Sequence, residues 1–334
     1  MSKNSSQASL RAGDSDGEPA LDSDNESSTT SVIPSILTSR QIHGRTYQNF
    51  STNTEYWAPN DEKQREAWDM THGVLLMALD GKLFRAPISP GTICKRILDI
   101  GTGTGLWAVD VAQAYPNTEV IGTDITPMQP IFVPNNLSFQ LDDAQLPWTF
   151  PDNHFDFIHT RGLVGAIKDW PSLYSEIYRC LKPGGWIEHV DFSLEAKADD
   201  DSLPKESPLR AWADVLIRAG DKMGRTFRVI DESKNMQLIR DAGFLRVRER
   251  RLKLPLGEWH GDAKWKTIGK IMQAMLDDSI DGCGMYVLTC MLGWKLEEAQ
   301  AYIAQTKKVL KDDSVHAYFE ASIVFAQKPL NALS

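Results

Sequence analysis

Between residues 95 and 192 short apolar runs alternate with amphipathic stretches. KRILDI (95–100), TEVIGTD (118–124), LSFQLDD (137–143), FDFIHT (155–160) and GWIEHVDF (185–192) are rich in β-branched and aromatic residues, and they read as five strands. GLWAVDVAQAY (105–115) follows the first as a helix, and another helix falls near Asp169–Leu181. This alternation predicts a parallel sheet covered by helices on both faces. Upstream, Pro59-Asn60-Asp61-Glu62 puts a capping Asn and two carboxylates at the start of a helix that runs to about Asp80, where Gly81 ends it. Past Asp199 the pattern predicts helices at about 208–222 and 232–242, a strand at 245–253, a long helical region at about 262–310 and a last strand at 316–328.

Residues 1–40 break the pattern. They are Ser-rich, carry more Asp and Glu than Lys and Arg, have no aromatic residue and too little apolar surface to offset chain entropy, so a disordered acidic tail is expected there. It is read as a solvated tail, with phosphorylation as the alternative role. An N-terminal helical cover is expected over 41–90, and the α/β domain over 91–330, with a helical insertion at about 255–312 that could cover a substrate site.

Composition narrows the function. The 334 residues carry 36 Lys+Arg against 45 Asp+Glu, a net charge of −9. That balance disfavours a sequence-independent grip on nucleic acid or anionic lipid, which needs clustered cations. No apolar run approaches the roughly 18 residues of a membrane helix, and the N-terminus lacks a signal-peptide core. The four cysteines, Cys94, Cys180, Cys283 and Cys290, form no Cys-x-x-Cys pair, against structural zinc and a disulfide framework. The expectation is an intracellular, cytoplasmic protein.

The sharpest chemical signal is ILDIGTGTG (97–105), a strand entering a glycine-rich turn that opens onto a helix. Such a turn lets backbone approach a ligand at the helix N-terminus. Position 106 is Leu, so the dinucleotide fingerprint Gly-x-Gly-x-x-Gly is not met, and no Gly-Lys-Ser/Thr of a P-loop follows. Asp124 ends the second strand, where a carboxylate can accept from both hydroxyls of a ribose. Asp142-Asp143-Ala144 ends the third, placed to meet an adenine edge. Each Asp alone could be a turn acid or a helix cap. Three such segments on successive strands converge where open α/β sheets bind ligands.

ILDIGTGTG, GTD (122–124), DDAQLPW (142–148), FDFIHTR (155–161) and RCLKPGGWIEHVD (179–191) resemble class I S-adenosylmethionine-dependent methyltransferases. Asp69-Met-Thr-His72, LDGKLFRAPI (79–88), DWPSLYSEIYRCLKPGGWIEH (169–189) and VHAY (315–318) narrow the resemblance to the fungal LaeA-like group, similar to trans-aconitate methyltransferase in its domain. It spans roughly residues 45–328. It implies a Rossmann-like, seven-stranded, mostly parallel sheet with helices on both faces and an antiparallel last strand. It also implies S-adenosylmethionine as cofactor. Gly101, Thr102, Gly103 and Gly105 would face its methionine and ribose portion, with Asp99 supporting the loop. Asp124 and Ile125 would meet the ribose end, and Asp143 with Ala144 the adenine. His159 would stand near the sulfonium, and Tyr56 and His72 would close the pocket.

Methyl transfer from a sulfonium is an in-line displacement that needs alignment, exclusion of water and sometimes removal of a proton. His159 and His189 are the candidate bases. His159 could equally be a wall of the cofactor pocket. Glu188 and His189 point to opposite faces of their strand, and a satisfied structural pair is the favoured reading of the two. Arg161 either binds an acidic substrate group or stiffens its loop against an Asp. Met272, Met275, Met285 and Met291, with Trp265 and Trp294, are core or an adaptable apolar pocket. Arg246, Arg248, Arg250 and Arg251 read as a solvated face. No acidic cluster has the spacing of a metal-dependent methyltransferase, so no metal is expected. Two functions follow: a small-molecule methyltransferase of fungal secondary metabolism, or a LaeA-like nuclear regulator acting with a protein partner. An NAD-dependent oxidoreductase is disfavoured by Leu106 and by the Leu181-Lys-Pro-Gly-Gly185 turn.

Overall fold

The computed structural model describes residues 39–48, 56–88 and 94–331. The tail expected over 1–40 lies outside them, apart from Ser39 and Arg40. These two open a feature the pattern did not suggest, a hairpin of β1 (Ser39–Ile42) and β2 (Arg45–Gln48). Its turn is His43-Gly44, both at positive φ, the geometry that matches the twist of paired strands. The N-terminal cover is therefore a hairpin followed by α1 (Glu62–Ala78), not helical throughout.

The N-cap of α1 is Asp61, which accepts from the Gln64 N–H. Asn60, expected in that role, instead accepts from the Thr46 hydroxyl at 2.8 Å. Arg45 explains the exchange. Its Nη2 donates to Asp61 at 2.7 Å, so one carboxylate caps the helix and ties it to the hairpin.

The strands β3 (Arg96–Ile100), β4 (Glu119–Asp124), β5 (Leu137–Leu141), β6 (Phe155–Arg161), β7 (Leu181–Phe192), β8 (Leu245–Pro255) and β9 (Tyr318–Gln327) form one sheet in the order β5-β4-β3-β6-β7-β9-β8. The pairs from β5 to β7 are parallel, and β9 runs antiparallel to both β7 and β8. The order reverses at β3, so the carboxyl ends of β3, β4 and β6 border the crevice where such sheets bind ligands. This is the expected Rossmann-like arrangement.

Helix α2 (Leu106–Ala114) follows β3 and buries Trp107, Ala108, Val111 and Ala112 against Ile97 and Phe157. On the other face, α3 (Trp170–Cys180), α4 (Pro208–Met223) and α5 (Lys234–Asp241) pack Tyr174, Ile177, Leu216 and Ile239 into the largest core cluster. Between β8 and β9 lie α6 (Ala263–Met285), a π-helical turn at Tyr286–Met291 and α7 (Leu296–Leu310). Helix α6 packs along α1 and roofs the crevice. The hairpin latches it there: Tyr47 Oη donates to the Gly282 carbonyl at 2.8 Å. A Cβ on Gly282 would collide with Pro59 and with Arg45, so glycine is what lets the hairpin approach. Among the described residues no helix is long and apolar enough to cross a membrane.

Candidate functional site

The β3–α2 turn is held open by the strands beside it. Thr102 N–H donates to the Thr123 carbonyl at 2.9 Å, and Gly103 N–H to Asp124 Oδ2 at 2.8 Å. Gln129 donates to the Gly103 carbonyl at 2.7 Å, and the Thr104 hydroxyl to Asp69 of α1 at 2.6 Å. Asp99 lies beneath: one oxygen accepts from the Thr102 hydroxyl at 2.6 Å and the other meets His159 Nδ1 at 2.7 Å. The three glycines differ in kind, though all have positive φ. A Cβ on Gly101 would lie 2.5 Å from Leu163, and one on Gly105 would enter the Phe139 ring. At Gly103 a Cβ would meet nothing within 4 Å.

That open side faces a cavity of about 270 Å³. One end is polar, lined by Gly101, Thr102, Gly103, Asp124, Ile125, Asp142, Asp143 and Ala144. The other carries Phe192, Leu194, Met272, Met275, Leu276 and Phe319, with Tyr56, Trp57 and Trp68 from the N-terminal cover. Burial pushes the Asp124 carboxyl up to about 6 despite the backbone N–H groups of Thr126 and Gly103, which favour its ionised form. Burial also raises the Tyr56 phenol.

The structure thus brings together Tyr56, Gly101, Thr102, Gly103, Asp124, Ile125, Asp143 and Ala144. Gly105 is not on the wall; it is the left-handed N-cap of α2, where its lack of a side chain makes room for Phe139. His72 and His159 line a separate space of about 10 Å³ behind Arg161, with Glu188 and Trp107. The His159 ring, 1% exposed, stacks on Trp107 at 3.7 Å and acts on the cavity only through Asp99 and the turn. The pocket-wall position expected for it is taken by Arg161, two residues on in β6 and therefore on the same side of the strand.

Arg161 can only donate, so His72 Nδ1, 3.1 Å away, is an acceptor and Nε2–H donates to Asp110 at 2.8 Å. Burial, then the Arg161 charge, lowers the His72 pKa and keeps the ring neutral. His189 lies on the opposite face of the sheet from Glu188, fully buried and outside the cavity. Its Nδ1 meets Tyr174 Oη at 2.6 Å, its Nε2 meets Asp191 at 3.2 Å, and Trp170 stacks on the ring. The base position expected for it is therefore not at the cavity. Glu188 Oε2 accepts the Arg85 and Ala86 N–H groups, both at 2.7 Å, and fastens the 79–88 segment to β7.

The methionines divide. Met272 and Met275 line the cavity, Met272 from within a core cluster of its own, whereas Met285 packs into the largest core cluster and does not line it. Among the arginines of β8, Arg251 is not simply solvated: it bonds the Ile230 carbonyl at 2.7 Å and pairs with Glu249 and Glu320. Several residues on the cavity wall carried no sequence signal of their own, Trp68, Leu276 and Arg225 among them.

Comparisons with known proteins accord with this geometry. The family described as "Methyltransferase domain" matches residues 52–247. The chain is 35% identical to Methyltransferase pytC of Aspergillus terreus over 93% of its length and 94% of that protein's. It is 34% identical to Secondary metabolism regulator LAE1 of Cochliobolus heterostrophus, over 89% of this chain and 97% of the relative. It is 33% identical to Protein-methionine methyltransferase laeA of Emericella nidulans, over 94% and 84%. With a strand order that reverses at a glycine turn, an acid closing the next strand, and this extent of similarity, the chain belongs to the class I S-adenosylmethionine-dependent methyltransferases, in the group that holds the fungal LaeA-type proteins.

Proposed function

We propose that the protein transfers a methyl group from S-adenosylmethionine to a small apolar acceptor of fungal secondary metabolism. One observation carries the reading: a single cavity joins a nucleoside-type polar end to an apolar end under α6. The residues fit the cofactor. A Cβ on Gly103 would project into this space, where no protein atom lies within 4 Å of it, and Asp124 presents a carboxylate to it from the end of β4. Asp124 would hold the ribose hydroxyls, Asp143 and Ala144 the adenine, and the backbone of Gly101 to Gly103 the remaining chain. Bound there, the cofactor supplies a methyl carbon on a sulfonium, already activated for displacement. The chain's own contribution is alignment and dryness. Met272, Met275, Leu276 and Phe319 keep water from the acceptor, and the Asp99–Thr102 bond fixes the turn beneath it.

The test is calorimetric titration with S-adenosylmethionine, S-adenosylhomocysteine and NAD, on wild type and Gly103→Asp. Micromolar binding of the two sulfur compounds alone, lost in the variant, is the expected result. Binding of NAD, or of none of the three, would sink it.

The similarity to a protein named a secondary metabolism regulator favours a second reading, a nuclear regulator working in a protein complex. The enzyme is preferred because the apolar end of the cavity offers room for a small acceptor. A fluorescent fusion and a deletion strain separate the two. Nuclear signal with loss of many unrelated metabolites marks the regulator; loss of one product and its methylated relatives marks the enzyme.

A further inference from the structure

Charge is unevenly distributed around the cavity. Its described carboxylates, Asp124, Asp142 and Asp143, close β4 and β5 at the nucleoside end. Two arginines line it as well, Arg161 and Arg225, and no described histidine does. Arg161 pairs in register with Val190 of β7, two residues before the cavity residue Phe192, so it stands on the acceptor side of the glycine turn.

Among the described residues no group at that end takes a proton near neutrality. Burial pushes the Cys283 thiol up to about 12 and raises the Tyr56 phenol. The remaining polar side chains, Asn60, Gln64, Thr71 and Ser279, do not titrate. His72 presents no free lone pair, since its Nδ1 accepts from Arg161 and its Nε2–H is given to Asp110. Arg161 meanwhile has five N–H groups and spends one on His72. No described carboxylate pairs with it: of its acidic neighbours, Asp69 bonds Thr104, Asp99 bonds Thr102 and His159, and Asp110 bonds His72.

We propose that the acceptor is an apolar carboxylic acid, bound as its carboxylate against Arg161 and methylated on oxygen to the ester. This rests on the methyl-donor reading above. A carboxylate oxygen forms the bond to the methyl carbon while the sulfur–methyl bond breaks, its electron pair going to sulfur. Carboxylate and sulfonium become neutral ester and neutral thioether, and no proton moves. An acceptor that arrives ionised needs no base, and two opposite charges vanish in a chamber of low dielectric. An alcohol or a protonated amine would need a base, and none of the described residues at that end supplies one. A thioether would leave a new sulfonium beside a guanidinium.

The experiment uses the full chain saturated with S-adenosylhomocysteine. Trp57 and Trp68 line the cavity, so their fluorescence reports binding of 2-naphthoate, 4-phenylbutyrate and decanoate against the matching amides. The expected result is at least tenfold tighter binding of the acids. Arg161→Gln erases that preference, Arg161→Lys keeps part of it, and the esters form on turnover with labelled donor. Equal binding of acids and amides, binding of neither, or a preference that survives Arg161→Gln would overturn the proposal. A second arm asks whose carboxylate Arg161 holds. If Arg161→Gln weakens S-adenosylhomocysteine tenfold and 5′-methylthioadenosine not at all, the carboxylate is the donor's own, and the acceptor assignment falls. Failure of wild type to bind S-adenosylhomocysteine would instead remove the methyl-donor reading itself.

Discussion

The Oδ2 of Asp124 accepts the backbone N–H of Gly103 at 2.8 Å, and its Oδ1 accepts that of Thr126 at 2.9 Å. The acid that would bind the ribose thus also shapes the turn that would bind the rest of the cofactor. Burial lifts its pKa from 3.8 to about 6. Ribose hydroxyls donate to the ionised form, so the complex has the lower pKa and affinity is lost as pH falls through the free protein's value. S-adenosylhomocysteine binding should be flat from pH 8 to 7 and weaken below pH 6, by up to about tenfold per unit. Asp124→Asn should bind more weakly, by about 1–3 kcal/mol, with no such slope. Calorimetry from pH 5 to 8 decides; a flat wild-type profile contradicts the assignment.

Gly103 and Gly101 should separate binding from stability. Ala at Gly103 meets no atom within 4 Å but sits at φ +58°. It should cost about 1–2 kcal/mol of backbone strain while narrowing the cofactor space. Ala at Gly101 adds a collision with Leu163. Gly101→Ala should therefore show the larger fall in Tm, and Gly103→Ala the larger ratio of affinity lost to stability lost. Equal behaviour of the two in paired thermal melts and titrations would deny that Gly103 is the open face.

Glu188 is fully buried, and burial raises its carboxyl from 4.5 to about 7. Between those values the unfolded chain is ionised and the folded chain keeps the proton. Its contribution to stability is complete below about pH 4.5 and lost as pH rises to 7, about 3 kcal/mol in all at roughly 1.4 kcal/mol per unit. Glu188→Gln can still accept from Arg85 and Ala86, and it removes the ionisation. Relative to wild type it should gain stability from pH 5 to pH 8, read from denaturant midpoints. A difference independent of pH would show that Glu188 stays ionised.

The sheet and the cofactor end were legible because they are local: apolar runs of strand length, glycines at a turn, and acids closing the next two strands. What could not be read depends on which side chains meet across the fold. The His43-Gly44 hairpin lies in a polar stretch, and Tyr47 acquires its role only through Gly282 of α6. His159 and Arg161 both lie at the end of β6, but which of them reaches the cavity is decided by Trp107 stacking on the first and Asp99 binding it. Met272 and Met285 have the same chemistry and helical spacing. One reaches the cavity and the other only the cluster around α4 because α6 crosses from over the crevice to the α4 side, a path no periodicity carries.

His189 supplies the last prediction. Asp191 can only accept, so His189 Nε2–H donates to it, and Nδ1 bonds the Tyr174 hydroxyl; both nitrogens are spent inside the core. His189→Phe keeps the stacking on Trp170 but leaves that hydroxyl and carboxylate without the ring. The loss should be about 1–3 kcal/mol for each group left unpaired. A ring placed away from the cavity takes no proton from an acceptor. Protein that remains folded below its lowered Tm should therefore methylate with an unchanged pH profile. A profile that loses its acidic limb in His189→Phe, at a temperature where circular dichroism shows the fold intact, would restore His189 as the base and require the cavity to open toward β7 during turnover.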